Sequence, residues 1–255
     1  MVEAKGLLAN TTIIVTSDHG FLFGEHDWIG KHSPTLYQSI VHTPLIMYHP
    51  RQPQPGGRVA DLVQMMDLQP TVLECVGLEP SVNIHGRSLV PIITGQGAKT
   101  SRDIAVFGVF GGSVYATDGT WVFVKRAVPG NTPLNWYTLS HFNQWEFGQI
   151  NDIHTTRQRL EQFRDGRFPA WYGGDALNHG GPSSVPVMPR GVVGARPEAL
   201  ADELYDVVDD YSQAENVAVA HPEVVEHFRG AIAFYLQTIA APDEQLDRVG
   251  LRSYT

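Results

Sequence analysis

Residues 11–20 read Thr-Thr-Ile-Ile-Val-Thr-Ser-Asp-His-Gly, and this stretch decides the predicted fold. The residues from 11 to 16 are all β-branched, with no alternation of apolar and polar side chains. Such a run predicts a strand covered on both faces, as in the sheet of an α/β protein. The strand ends abruptly after residue 16, and ligands of open α/β sheets collect at the carboxyl ends of strands. The sequence therefore predicts a ligand site at Asp18 and His19.

The segments around this strand extend the α/β pattern. Residues 43–48, Thr-Pro-Leu-Ile-Met-Tyr, predict a second buried strand, with its proline at the start, where a strand tolerates one. Asp67 is a suitable N-cap for a helix to about Val76, and residues 2–9 resemble the last turns of another helix. Because strands and helices alternate, we assign residues 1–100 to an α/β domain.

The second half of the chain, residues 101–255, is assigned to a C-terminal subdomain with an antiparallel sheet. Three short apolar runs predict a meander, and they span residues 104–109, 112–117 and 121–126. The dipeptide Asp118-Gly119 between the last two runs is a hairpin signal.

The remainder of this subdomain is divided between an irregular part and a regular end. Ten of the 25 residues from 173 to 197 are Gly or Pro, and we predict a long irregular excursion over about residues 140–200. A last strand is predicted at 204–208. Residues 221–238 predict a terminal helix, because their apolar side chains recur at helical spacing.

Composition excludes several classes of protein. The chain has 255 residues and a net charge of −9, which disfavours nucleic acid as a partner. Its single cysteine, Cys75, permits neither an internal disulfide nor a site of several thiolates. No apolar run approaches the ~20 residues of a membrane span. With no disulfide potential, we expect a cytoplasmic location, although any export signal would precede this segment.

The residue types at the end of the first strand are suited to metal and anion chemistry. Asp18 and His19 both belong to metal-ligating types, and Gly20 lets the backbone turn or approach a ligand closely. Lys31 follows a glycine- and aromatic-rich loop and could bring a positive charge to an oxyanion beside that pair. A second interpretation stays open, in which Asp18 and His19 have local structural roles and Lys31 is a solvated surface lysine.

Two further histidines flank Lys31 in the same loop. His32 is the next residue along the chain, and we take it with Lys31 as a candidate catalytic residue. His26 is a candidate for lining the substrate pocket.

A series of motifs in order along the chain resembles the sulfatase family of the alkaline phosphatase superfamily. The resemblance covers residues 1–95 and 203–240. The motifs are residues 10–20, Gly24-Glu25-His26, Gly30-Lys31, Thr43-Pro44-Leu45-Ile46, Asp67-Leu68-Gln69-Pro70-Thr71, His85-Gly86-Arg87-Ser88-Leu89, Glu203-Leu204-Tyr205-Asp206 and Glu215-Asn216.

This resemblance implies a sulfuric ester hydrolase with one bound divalent cation. Calcium is the expected ion, with magnesium and manganese as alternatives. Asp18 and His19 match two of the family's metal ligands, and Lys31 matches the lysine that contacts the sulfate. The implied substrate is a small sulfated molecule, which could be a sugar, aryl or alkyl sulfate. The implied fold is an incomplete alkaline-phosphatase-like sheet with helices on both faces, plus a smaller C-terminal antiparallel meander packed by a helix.

The chain departs from the family at the nucleophile. Sulfatases make a formylglycine from Cys or Ser in a Cys/Ser-x-Pro-x-Arg motif, but Cys75 is followed by Val-Gly-Leu-Glu. We therefore expect the C-terminal portion of a sulfatase, inactive alone and exposing apolar surface, whose partner is a missing N-terminal segment with the nucleophile. The alternatives are a phosphonate or phosphate ester hydrolase of the same superfamily, and a non-catalytic remnant or interaction domain.

Overall fold

The structure is a computed structural model. It describes residues 2–31, 35–53, 56–79, 84–96, 102–109, 111–131 and 201–255, with the backbone of short strands at 135–137, 164–167 and 184–189. Within these ranges, no helix has the length and apolar character that a membrane crossing requires.

The N-terminal part consists of short elements. In chain order these are β1 (Ile13–Thr16), β2 (Leu22–Phe23), β3 (Ile29–Gly30), α1 (Gln38–Val41), β4 (Leu45–Tyr48), α2 (Leu68–Cys75) and α3 (Val90–Ile93). Strands β1 and β4 pair antiparallel, with Val15 opposite Ile46, and β2 pairs with β3 in a hairpin. Residues 2–9, predicted as the end of an α-helix, instead form 3-10 turns at Glu3–Lys5 and Leu8–Asn10.

The prediction that β1 and β4 are buried on both faces was wrong. The side chains of Val15 and Ile46 are 54% and 65% exposed. Among the described strands, β1 and β4 pair only with each other. Within the described residues, the face that carries Val15 and Ile46 is largely exposed. The β-branched run correctly predicted a strand, but burial depends on which elements pack against it.

The C-terminal part is built on a four-stranded antiparallel sheet. In chain order, the elements of this part are β5 (Ala105–Gly108), β6 (Val114–Thr117), β7 (Trp121–Lys125), β8 (Asn135–Tyr137), β9 (Arg164–Arg167), β10 (Ser184–Pro189), β11 (Glu203–Asp206), α4 (Pro222–Thr238) and α5 (Asp243–Arg248). The sheet order is β11-β7-β6-β5, which confirms the predicted meander. The predicted hairpin is present between β6 and β7, where Gly119 has a φ of 94° and the Asp118 carboxylate accepts the amide of Thr120.

This sheet is covered on both faces. On one face Phe123 and Leu204 pack against Phe228 and Ile232 of α4, and all four side chains are fully buried. The other face, with Tyr115, Val122, Val124 and Tyr205, packs against Leu36 from the N-terminal part. The sheet therefore supports the segment that follows Lys31.

The excursion predicted to be irregular contains regular structure. Strands β8, β10 and β9 form a three-stranded antiparallel sheet in that order. Two of them, β9 and β10, lie inside the range 140–200. The frequent Gly and Pro residues of this range concealed the alternating valines at 185 and 187 of β10, a pattern typical of strands.

Asp67 is placed before α2 as predicted, but its carboxylate does not cap that helix. It accepts the backbone amides of Gln64 and Arg87 at 2.7 and 2.9 Å, and it pairs with both terminal nitrogens of Arg102 at 2.6 and 2.8 Å. Burial alone would raise the pKa of Asp67, but these donors outweigh it and hold the pKa below its usual value. Asp67 therefore joins three segments of chain around α2.

Candidate functional site

The backbone after β1 turns so that two functional side chains lie together. Ser17 Oγ donates to the carbonyl of His19 at 2.9 Å, and the His19 amide donates to Asp18 Oδ1 at 3.0 Å. The Asp18 side chain is 82% exposed and that of His19 is 35% exposed. The predicted pair is thus accessible at the carboxyl end of its strand.

The ring of His19 is oriented by its own backbone neighbour. His19 Nδ1 lies 2.9 Å from the carbonyl oxygen of Gly20. A carbonyl oxygen only accepts hydrogen bonds, so Nδ1 carries the proton, and in the neutral ring Nε2 presents a lone pair. Metal-binding histidines use the same arrangement, with one ring N–H on a carbonyl and the other nitrogen directed to the metal.

The hairpin of β2 and β3 brings the chain back, so that Lys31 lies beside Asp18 and His19. Lys31 directly follows β3, and its Nζ lies 2.6 Å from His19 Nε2. Asp18 Oδ2 lies 3.2 Å from the same Nε2. The structure thus brings together three of the residues singled out from the sequence, although Lys31 is twelve positions further along the chain.

The electrostatics of this cluster favour the charged form of Asp18. The hydrogen bond from the His19 amide lowers the pKa of Asp18 most, desolvation opposes it, and the positive charge of Lys31 is among the further effects that lower it. The result is an exposed carboxylate that stays ionised beside an ammonium group and an imidazole.

The geometry provides part of a cation site. Two ligand atoms on one divalent cation, each at about 2.1–2.6 Å from it, lie roughly 3–4 Å apart when they subtend a right angle. Asp18 Oδ2 and His19 Nε2 meet that spacing at 3.2 Å. Two ligands are too few, and no group of three or more His, Cys, Asp or Glu side chains in the described ranges could hold a metal. The residues present therefore fit a divalent cation as a partial ligand set, and Lys31 competes for Nε2.

Gly20 has a packing role in this turn. A Cβ atom at this position would lie 1.9 Å from the backbone oxygen of Ser39. The Gly20 amide donates to the carbonyl of Ile40 at 2.7 Å. The backbone of Gly20 therefore packs closely against α1. This contact sets the direction in which the chain leaves the Asp18–His19 pair.

The other two predicted histidines have different outcomes. His32 lies outside the described residues, so its catalytic role stays a prediction. His26 is described, and its ring contacts Tyr37 and the carbonyl of Ser212.

The residues that contact His26 were not predicted from the sequence. Tyr37 lies in a segment with no catalytic pattern, and Ser212 is 186 positions from His26. The only local signal was the similarity of residues 203–216 to a strand and turn of the sulfatase family, which gave no reason to place that turn beside the Lys31 loop.

Comparisons with known sequences identify relatives of part of the chain. Residues 24–114 match the family described as N-sulphoglucosamine sulphohydrolase, C-terminal. An N-acetylglucosamine-6-O-sulfatase of Bacteroides thetaiotaomicron is 36% identical over 102 residues, 40% of this chain and 18% of that protein. Arylsulfatase K of Xenopus laevis is 39% identical over 94 residues, 37% of this chain and 17% of that protein. The chain thus spans less than a fifth of these two relatives.

Solved structures extend the likeness to most of the chain. A putative sulfatase from Bacteroides thetaiotaomicron has a TM-score of 0.55 at 16% identity, over 91% of this chain and 37% of that chain. A protein in complex with its substrate D-glucosamine-2-N,6-O-disulfate has a TM-score of 0.54 at 16% identity, over 95% and 37%. At such identities the likeness concerns the fold alone, and it confirms the predicted class of mixed helix and sheet. Sulfatases generally use a divalent cation.

Proposed function

We propose that this chain carries the C-terminal region of a sulfatase and that it supplies one wall of a site that hydrolyses sulfate esters. In this site Lys31 binds the sulfate group, while Asp18 and His19 contribute ligands to a divalent cation. The observation that carries the proposal is the convergence of Lys31 Nζ and Asp18 Oδ2 on His19 Nε2, at 2.6 and 3.2 Å.

Each side chain has a physical role in sulfate-ester cleavage. The Lys31 ammonium donates hydrogen bonds to sulfate oxygens and offsets the negative charge that builds up as the ester bond breaks. Asp18 offers an oxygen ligand that stays ionised, and His19 offers Nε2, held in place by its Nδ1–H bond to Gly20. A bound cation would add Lewis-acid stabilisation of the same oxygens.

We propose calcium as the cation. Calcium prefers six to eight oxygen ligands, and the Asp18 carboxylate is a ligand of that kind. The imidazole of His19 does not itself favour calcium, so the choice rests on the carboxylate and on the flexible ligand number of calcium. The remaining ligands, and the formylglycine nucleophile, would come from polypeptide outside residues 1–255.

The partner that supplies these groups is proposed to be an N-terminal sulfatase segment. The exposed face of β1 and β4, with Val15 and Ile46 side by side, and the exposed Val72 and Val76 of the α2 region are apolar surfaces that such a segment would cover. The substrate is proposed to be a small sulfated sugar. The names of the N-acetylglucosamine-6-O-sulfatase and of the glucosamine disulfate complex support that class.

The proposal is tested by kinetics on the protein expressed from its complete reading frame. Glucosamine 6-sulfate and an aryl sulfate are the substrates, and Lys31→Ala is expected to lower kcat by about 100- to 1000-fold, the usual cost of removing one donor to a developing negative charge. Lys5→Ala, at an exposed lysine outside the cluster, is the matched control.

The cation is tested by calcium titration of the same protein. Asp18→Ala is expected to weaken calcium binding, because it removes a charged oxygen ligand. Unchanged kinetics in Lys31→Ala would contradict the role of Lys31. Turnover of an aryl phosphonate monoester equal to or faster than that of the sulfate would favour the phosphonate hydrolase alternative, and absence of all turnover would favour the non-catalytic remnant.

A further inference from the structure

The hairpin that precedes Lys31 is held from the far end of the chain. His26 lies at the tip of this hairpin, between β2 and β3, and its Nε2 is 2.7 Å from the carbonyl oxygen of Ser212. Because the carbonyl only accepts, Nε2 donates this bond. On its flat side the His26 ring stacks on Tyr37, with centroids 3.6 Å apart and planes 3° apart. The tip is therefore fixed in two directions by residues outside the hairpin.

The backbone of the tip shows that these contacts act against a local preference. His26 and Asp27 have φ values of 54° and 56°, so two consecutive non-glycine residues occupy the left-handed region. Each such residue is disfavoured, and the conformation persists only where the surroundings impose it. The stacking on Tyr37 and the bond to Ser212 are the two contacts from outside the hairpin that support this conformation.

The turn that provides Ser212 is itself rigid. We call residues 210–213 the clamp turn. The Asp210 carboxylate accepts the hydroxyl of Ser212 at 2.7 Å and the amide of Glu215 at 2.9 Å. The Gln213 amide donates to the carbonyl of Asp210 at 2.9 Å, and the Asp210 amide donates to the carbonyl of Asp206, the last residue of β11, at 2.8 Å. The clamp turn is therefore bonded to the end of β11 in the four-stranded sheet.

The same turn also holds the chain on the other side of Lys31. Gln213 is 2% exposed, and its Oε1 accepts the amide of Gln38, the first residue of α1, at 2.7 Å. Nearby, the Leu36 amide donates to the hydroxyl of Tyr115 in β6 at 3.1 Å. Segments before and after Lys31 are thus both attached to the C-terminal sheet.

We propose that the clamp turn and His26 position Lys31 against His19, so that the C-terminal subdomain sets the geometry of the anion site. His26 is a positioning residue in this proposal, since its ring contacts Tyr37 and Ser212 and reaches the sulfate only through the hairpin. The functional meaning of this positioning rests on the proposed sulfatase site, but the positioning itself can be tested without turnover.

The first test measures hydrogen exchange in the full chain. In His26→Ala, amides of residues 22–31 are expected to exchange about tenfold faster, because a hydrogen bond and a ring contact are lost. Amides of the sheet at residues 114–125 are expected to be unchanged. His26→Phe keeps a ring over Tyr37 without the donor and should give an intermediate rate. His227→Ala, at an exposed histidine of α4, is the matched control. Unchanged exchange in His26→Ala would overturn the proposal.

The second test follows the imidazole of His19 by nitrogen NMR. Removal of the ammonium in Lys31→Ala will shift the His19 Nε2 resonance. His26→Ala is expected to shift it in the same direction, since Lys31 is no longer held 2.6 Å away. If His26→Ala leaves this resonance in place while exchange is faster, the clamp turn holds the hairpin but does not position Lys31, and the proposal is wrong.

The third test links positioning to anion binding, with inorganic sulfate as the probe in calorimetry. His26→Ala is expected to weaken sulfate binding about tenfold in the wild-type background and not at all in the Lys31→Ala background. Equal effects in the two backgrounds would overturn the proposal. If the wild-type protein binds no sulfate, the proposed function fails, and the exchange and NMR results alone decide whether the clamp turn positions Lys31.

Discussion

At the scale of single residues, the structure separates an exposed carboxylate of the proposed site from a buried structural one. Asp18 is exposed, lies beside Lys31 and has one amide donor. Asp67 is fully buried and has two amide donors and a bidentate arginine. The sequence predicted Asp67 as an N-cap and Asp18 as a ligand, and the different surroundings of the two carboxylates are visible only in the structure.

The first stability prediction concerns Asp67. Asp67→Asn should lower the free energy of unfolding by about 3–5 kcal/mol, because it leaves the guanidinium of Arg102 buried without a counter-charge. The free energy is measured by urea unfolding followed by circular dichroism. Asp209→Asn, at an exposed acid, should change it by no more than about 0.5 kcal/mol. A small effect of both variants would show that Arg102 finds another partner or reaches water.

At the scale of elements, helix α4 shows how local periodicity leads to packing. Phe228 and Ile232 lie four residues apart, are fully buried and contact the sheet. The Phe228 ring stacks on Phe123 with centroids 5.8 Å apart. The spacing of these side chains predicted the helix, and it also predicted which side of the helix would be apolar.

The second stability prediction uses this helix. Phe228→Ala should cost about 3–5 kcal/mol in the free energy of unfolding, since it opens a cavity against Phe123. Phe234→Ala is the matched control, because Phe234 lies on the same helix and is 70% exposed. Its expected cost is about 0.5 kcal/mol or less. Similar costs at the two positions, measured by urea unfolding, would contradict the packing of α4 on the sheet.

The strand β1 shows the limit of the same reasoning. Its β-branched residues predicted a buried strand, yet Val15 is 54% exposed. A run of apolar residues reports the surface that a strand can bury, whereas the neighbouring elements decide what it does bury. The apolar face of β1 and β4 is therefore surface that these strands can bury but that the described elements leave exposed.

At the scale of the whole molecule, buried carboxylates join the parts of the chain and make stability depend on pH. Asp202 is largely buried and binds Lys125 of β7 at 2.9 Å and Arg229 of α4 at 2.7 Å. Burial would raise the pKa of Asp202, but these cations hold it below its usual value, as Arg102 does for Asp67.

The third prediction follows from the sign of these shifts. A depressed pKa in the folded state adds stability that is fully present above the unfolded pKa, about 3.9 for Asp, and is lost as the pH falls through the folded value. The free energy of unfolding should therefore fall below about pH 4, whereas between about pH 6 and pH 7 these two groups contribute their full stabilisation and add no dependence on pH. Urea unfolding across this range is the measurement.

Variants identify the carboxylates responsible for the loss of stability in acid. Asp202→Asn should flatten the dependence of stability on pH below about pH 4, because the titrating group is gone. An equal slope in Asp202→Asn and in the unaltered protein would show that other carboxylates control acid unfolding.

The sequence by itself determined the meander, helix α4 and the candidate residues. The meander, its Asp118-Gly119 hairpin and the helix α4 follow from turn chemistry and periodicity, which act over a few residues. The motif at residues 17–20 and Lys31 were recognisable for the same reason, because each is a short pattern whose residue types suit one chemistry.

Only the tertiary structure decided how these parts meet. The distance of 2.6 Å between Lys31 and His19, the bond of His26 to Ser212 and the pairing of Asp67 with Arg102 all join segments separated along the chain. Such contacts depend on how sheets and turns pack, and local propensity contains no information about that packing. The physical reason is that a side chain's type is set by its position in the sequence, whereas its partner, its burial and its pKa are set by whatever the rest of the fold places against it.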